Sequence, residues 1–275
     1  MASIIEKQED GTIKLTITIP AADVAKEKAV VVEEYVKNAD LPGFRKGKAP
    51  KKLIEDNIDK ARLNEEALRK LLPEFYLSAI REHKINPIIN PKVKVESMEE
   101  GKDWGFSALT CEAPEIDLNG YKEAVKKLTA KDKIIIPGKE QKPTPFDEIV
   151  AELLKNVKVK IPKIIIEQEV DRLLSQTIDE IKKLGLTLDQ YLASTGKSAE
   201  DLRKDYEAKA ENDVKLEFTL EKIAQTEKLT VEEKEIEEAI HKAPTDAEKK
   251  NLESNRYLLA SILRQQKTLD FLKNL

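Results

Sequence analysis

Ten residues, Leu41 to Pro50 (Leu-Pro-Gly-Phe-Arg-Lys-Gly-Lys-Ala-Pro), hold the side chains of this sequence best suited to recognition chemistry. Two glycines and two prolines forbid a regular helix or a central strand, so the stretch is expected to be a loop. Phe44 stands between Gly43 and the cations Arg45 and Lys46, where it cannot easily join a core. Lys48, Lys51 and Lys52 complete a run of positive charge without an acid. A planar guanidinium pairs with phosphate or carboxylate in a fork, and each lysine adds a point charge. An apolar ring among such cations suits an RNA- or phosphate-rich partner that offers a small apolar notch. Charge alone favours the plainer alternative, a solvated basic turn.

The order of residues favours recognition. Gly43-Phe44-Arg45-Lys46-Gly47-Lys48-Ala49-Pro50 closely resembles the ribosome-docking loop of the trigger factor family of bacterial chaperones, whose pattern is Gly-Phe-Arg-x-Gly-x-x-Pro. The resemblance implies that Phe44, Arg45 and Lys46 contact a tunnel-exit ribosomal protein and the adjoining rRNA. It further implies that Gly43 and Gly47 set the turn, that Lys48 belongs to the same surface, and that Pro50 opens the next helix.

Other candidates for chemistry are weak. The acidic pairs Glu33-Glu34, Glu65-Glu66 and Glu99-Glu100 are adjacent in sequence, and neighbours on a helix diverge, so solvated faces are expected. Cys111 lies in a strand pattern with no histidine nearby and reads as a buried apolar residue. His83 and His241 sit near helix ends, where the negative end of the dipole suits them. Trp104 reads as strand core. The sequence has no P-loop, dinucleotide fingerprint, Gly-x-Ser-x-Gly or zinc spacing. No catalytic residue, cofactor or metal is therefore expected.

The elements that must carry the loop follow from periodicity. Ile13, Leu15, Ile17 and Ile19 alternate with polar residues as a half-buried strand. Asp10-Gly11 ahead of it predicts a hairpin whose first arm is Ser3 to Glu9. Asp23 is a candidate cap for a helix to about Ala39, with Val24, Ala29, Val32 and Val36 inward. After the loop, helix is expected to about Lys84, with Leu53, Ile58, Leu63, Leu68, Leu71 and Leu72 as core and Pro73 as a kink or restart. Val93 and Val95 open another strand, and Trp104 to Ala113 a further one. An α+β N-terminal domain over residues 1–113 is the result; the resemblance covers all of it and implies that it is a ribosome-binding domain.

Residues 114–144, with Pro137, Gly138, Pro143 and a lysine-rich run, read as a linker or extended connection. Most trigger factors carry an FKBP-type prolyl isomerase domain here. That domain needs ~100 residues, and the short Ile134-Ile135-Ile136-Pro137-Gly138 echo is too little to form it. The isomerase is read as absent.

From residue 145 the pattern is helical. Phe146–Leu154 is short, Val157–Pro162 extended, and Lys163–Leu184 long and ended by Gly185. A brief helix, Leu188–Ala193, precedes one capped by Ser198, with Leu202, Tyr206, Ala210 and Val214 as its stripe. Thr230 is expected to cap the next, and the last to run from about Ala247 with Leu258, Ile262, Leu269, Leu272 and Leu275 on one face. Residues 145–275 thus read as an all-α, elongated domain; it resembles the family at Ile161-Pro162, Glu167–Leu174, Leu186–Leu192 and Leu269–Leu272, which implies a chaperone domain. Narrow stripes on long helices cannot all face one core, so apolar patches on helical arms are expected.

Composition agrees. The chain has 275 residues, 36% charged and 5% aromatic, with a net charge of only −4, so any attraction to RNA must be local. No signal-like or membrane-spanning apolar run is evident, and a cytoplasmic protein with no membrane partner is expected. The expected function is an ATP-independent chaperone that docks at the ribosomal tunnel exit and shields nascent or unfolded polypeptides. A homodimer off the ribosome stays open. The alternatives are a prolyl isomerase with an unrecognised site and a holdase that works without the ribosome.

Overall fold

The computed structural model describes residues 2–38, 58–130 and 144–275. The chain divides into two compact units, residues 1–113 with 162–164, and residues 114–161 with 165–275.

In the first unit, strands β1 (Ala2–Lys7) and β2 (Thr12–Ile19) form the expected hairpin. At its turn the Asp10 carboxylate accepts from the Thr12 N–H and hydroxyl, and Gly11 has φ +90°. Strands β3 (Lys92–Ser97) and β4 (Trp104–Cys111) complete an antiparallel sheet of order β1-β2-β4-β3. The register sets Leu15 opposite Ala108, Ile17 opposite Phe106 and Ile19 opposite Trp104, all on one face and 0–2% exposed. Burying each large apolar side chain of this kind is worth roughly 1.5–3 kcal/mol.

Helices α1 (Ala21–Asn38) and α2 (Lys60–His83) supply the remainder of that core through Val24, Ala67, Leu71, Phe75, Tyr76 and Ala79. The cap of α1 differs from expectation. Asp23 lies inside the first turn, and the Ala21 N–H donates instead to Asp103, 82 residues away, at 2.8 Å. Ala29 is exposed and Val31 takes the buried place. Pro73 neither ends nor restarts α2. Both Pro73 and Arg69, whose carbonyl loses its helical partner, are exposed, so water can satisfy the freed group.

In the second unit, the described part of residues 114–144 is not an extended connection. It contains β5 (Ile116–Asp117) and helix α3 (Tyr121–Thr129), whose Tyr121 and Val125 are buried. They pack with Ile149 and Leu153 of α4 (Phe146–Asn156), and with Leu220, Ile223 and Leu272. Of the lysines that suggested a linker, Lys126 and Lys127 are described, and both occupy the outer face of an amphipathic helix, where a lysine is as well placed as in a coil. β5 pairs as a two-residue ribbon with β6 (Lys158–Val159), which lies within the expected extended stretch, and the remainder of this half is helical as expected.

Helices α5 (Lys163–Lys183), α6 (Leu188–Thr195) and α7 (Ala199–Thr226) follow expectation. Gly185, at φ +73°, closes α5, and capping boxes at Thr187–Gln190 and Ser198–Asp201 open the other two. Two later boundaries differ. Helix α8 (Glu233–His241) is capped by Glu232 rather than Thr230, and the final helix is divided at Asn255 into α9 (Asp246–Ser254) and α10 (Arg256–Lys273). Burial in this unit is shared among separate clusters. Val170 and Leu173 of α5 meet Ala210 of α7, while Ile236 and Ile240 of α8 meet Leu259 of α10.

Gly11 combines a left-handed backbone with a close neighbour. Its φ is left-handed, and a Cβ there would lie 3.2 Å from Pro162 Cγ. Gly11→Ala should lower stability by about 1–2 kcal/mol, read from the urea midpoint. A second expectation concerns acid. Glu227 accepts from Lys122 at 2.7 Å and the Tyr121 hydroxyl at 3.0 Å, and these bonds hold its carboxyl below the usual range. The stability it adds is therefore in place above the ordinary carboxyl pKa and is lost as pH falls through the lowered one. Glu227→Gln should make the urea midpoint less sensitive to acid; an unchanged pH profile would show that the pair adds nothing to folding.

Candidate functional site

The residues singled out for docking, Gly43, Phe44, Arg45, Lys46, Gly47, Lys48 and Pro50, lie outside the described residues, as do the core candidate Leu53 and the Ile134–Gly138 echo. The structure does describe the two supports from which residues 39–57 depart. The last turn of α1 meets the first turns of α2 through Tyr35, whose hydroxyl donates to Glu66 at 2.5 Å. The Arg62 guanidinium lies 5.9 Å over the Tyr35 ring and 3.5 Å from Glu66. One turn further, Lys70 bridges Glu34 at 2.7 Å and Glu27 at 3.7 Å. Bonding to Glu66 raises the Tyr35 phenol pKa, and bonding to Glu34 raises that of the Lys70 ammonium. Asp59 caps α2 by accepting from the Ala61 N–H at 2.9 Å. These contacts cross-link the last turns of α1 to the first turns of α2, the elements that flank residues 39–57.

A second candidate surface belongs to the helical unit. After α5, the Leu186 N–H returns to the Ile181 carbonyl and the Gly185 N–H to Lys182, an αL closure of the helix. The turn leaves Leu184 75% exposed, with Leu186 and Leu188 also exposed. On α10, Tyr257 is 91% exposed and Leu258 and Ile262 are more than half exposed. Beside them a groove of about 280 Å³ is lined by Leu229, Thr230, Val231, Tyr257, Ala260, Ser261 and Arg264. The nearby cations are engaged: Arg264 with Glu221, Arg256 with Glu233, and Lys267 with Glu235 at 2.6 Å. What remains open is apolar and nearly neutral, suited to weak contact with apolar side chains rather than to bond chemistry.

Periodicity placed Leu258 and Ile262 on the buried face of the last helix, and the structure exposes both. The buried positions are Leu259, Thr268 and Leu272. The alternative phase was present in the sequence as Leu252, Leu259 and Leu263, which pack with α8. Only the partner helix decides between the two phases.

Among the described residues, Cys111, Trp104 and His83 have structural surroundings. Cys111 is fully buried, and burial with the nearby Asp10 charge pushes its thiol to about 11. Trp104 is core, with its indole N–H on the Glu99 carbonyl and Lys28 Nζ 5.0 Å from the ring. The Ser3 hydroxyl lies 2.9 Å from His83 Nε2 but donates its single proton to Glu82 at 2.7 Å, so His83 is not placed to activate it. Among the described residues no group of three or more His, Cys, Asp or Glu could hold a metal ion. No described helix is long and apolar enough to cross a membrane.

Residues 1–141 match the family model described as bacterial trigger factor protein, and residues 122–274 match that of the bacterial trigger factor C-terminus. The trigger factor of Staphylococcus epidermidis is 40% identical over 122 residues, 44% of this chain and 28% of that protein. That of Lactiplantibacillus plantarum is 37% identical over 123 residues, 45% of this chain and 28% of the relative. The matched segment therefore spans less than a third of those relatives. A solved structure concerned with promiscuous substrate recognition in the folding and assembly activities of the trigger factor chaperone shares the fold. It has a TM-score of 0.64 at 13% identity and covers 100% of this chain and 99% of that one. With family models matching both of its halves, the chain belongs to the bacterial trigger factor family.

Proposed function

We propose that this protein is a cytoplasmic, ATP-independent holding chaperone that docks at the ribosomal tunnel exit through the Gly43–Pro50 stretch. It would shield nascent or unfolded polypeptides on its helical unit. The observation that carries the holding role is the exposure of Leu184, Tyr257, Leu258 and Ile262 on a unit whose helices bury their stripes in separate seams. Such patches gain from covering apolar surface, yet they lose a client once it buries that surface within itself, so release needs no nucleotide. The docking role is supported by the Gly-Phe-Arg-x-Gly-x-x-Pro order and by the family match across residues 1–141. Phe44 would fill an apolar notch on the ribosomal protein while Arg45, Lys46 and Lys48 neutralise rRNA phosphates. Gly43, Gly47 and Pro50 would shape the backbone that presents them. In this reading the protein acts by binding alone, with no isomerase chemistry.

Two outcomes test this. Replacing Phe44, Arg45 and Lys46 together by Ala should abolish co-sedimentation with ribosomes while the circular dichroism spectrum is retained. Wild-type association should weaken as salt rises, because phosphate contacts release counterions. Equal sedimentation of variant and wild type would remove the docking role. Separately, the full chain should suppress aggregation of a refolding client at stoichiometric ratios, with or without ATP. Tyr257→Ser combined with Ile262→Ser should weaken that suppression severalfold, since each exchange removes part of the apolar contact, about 0.5 kcal/mol for some 20 Å² less buried area. Catalytic acceleration of a proline-limited refolding phase would favour the isomerase alternative instead.

A further inference from the structure

Among the described residues the sheet of the first unit ends at β3, and all six residues of that strand are exposed. Val93 and Val95 lie opposite Ala108 and Phe106, on the face that elsewhere forms the core, yet they are 36% and 44% exposed where their partners are 0–1%. The apolar face of the sheet thus continues past its cover of helices. The opposite face of β3 carries Lys92, Lys94 and Glu96, with Lys94 78% exposed and its ammonium 4.0 Å from Glu96. An edge strand presents a row of backbone donors and acceptors, and its charged residues exclude strands of like charge.

We infer that β3 takes a client segment by strand addition, as an extended polypeptide that alternates apolar and acidic residues. Its backbone would pair with the open edge, its apolar residues would lie beside Val93 and Val95, and its carboxylates would face Lys94. The regular ladder of β3 runs only from Lys92 to Val95 before the register shifts. Four residues span about 14 Å. That is far too little for the roughly 1,000 Å² a stable pair of folded proteins needs. Four residues do suit brief capture of an unfolded chain, which excludes a second copy as the main occupant. This site belongs to the first unit and does not depend on the ribosome or on the apolar patches of the helical unit.

The test uses the full chain and two fluorescent octapeptides, one alternating valine with glutamate and one alternating valine with lysine. The valine–glutamate peptide should slow amide exchange within residues 92–97 and bind about 3-fold tighter than its lysine counterpart. Lys94→Glu, a change at an exposed site, should reverse that order. Val93→Thr with Val95→Thr should weaken both peptides alike. An unchanged ranking in Lys94→Glu, or peptide binding without protection of residues 92–97, would overturn the assignment. So would protection of these amides that grows with protein concentration alone, because the occupant would then be a second copy.

Discussion

An amphipathic helix with a narrow apolar stripe can cover only the neighbour that faces the stripe, and this constraint organises the second unit. α5 spends its stripe on α7 through Val170, Leu173 and Ala210. α8 spends its own on the first half of α10 through Ile236, Ile240 and Leu259, while the far end of α10 joins α3, α4 and α7 through Leu272. No single core collects these seams, so some apolar side chains are left with nothing to cover them. Tyr257, Leu258 and Ile262 face outward because Leu259 on the same helix faces in. An open apolar surface is thus a by-product of how the helices are buried.

The first unit obeys a different rule. Its sheet has one apolar face, and register sets Leu15, Ile17 and Ile19 beside Ala108, Phe106 and Trp104. Two helices cover that face over β2 and β4, and Val93 and Val95 extend beyond the cover. The same two helices bear the ends of residues 39–57, locked together by Tyr35, Glu66, Arg62 and Lys70. Core packing and the polar cross-link between the helices that flank residues 39–57 are therefore parts of one arrangement, since Ala67 and Leu71 of the core alternate with Glu66 and Lys70 of the cross-link.

Much of this was legible in sequence because it is local. The alternation Ile13–Ile19, the Asp10-Gly11 turn, the Ser198–Asp201 box and the Gly185 stop each act within a few residues, and the chain folds at these places as their chemistry dictates. The Gly43–Pro50 octet could be read only as a pattern of residue types, and it lies outside the described residues. What sequence could not decide was anything settled by a distant partner. The cap of α1 comes from Asp103, 82 residues away. The lysine-rich stretch after residue 114 is helical at Tyr121–Thr129 because Ile149, Leu153, Leu220, Ile223 and Leu272 supply a core for Tyr121 and Val125. The last helix offered two apolar phases of similar strength, and burial against α8 chose Leu259 over Leu258. Local chemistry determined where elements begin, turn and stop. Tertiary structure decided which face each one buries, because burial energy depends on what stands opposite and not on the residue alone.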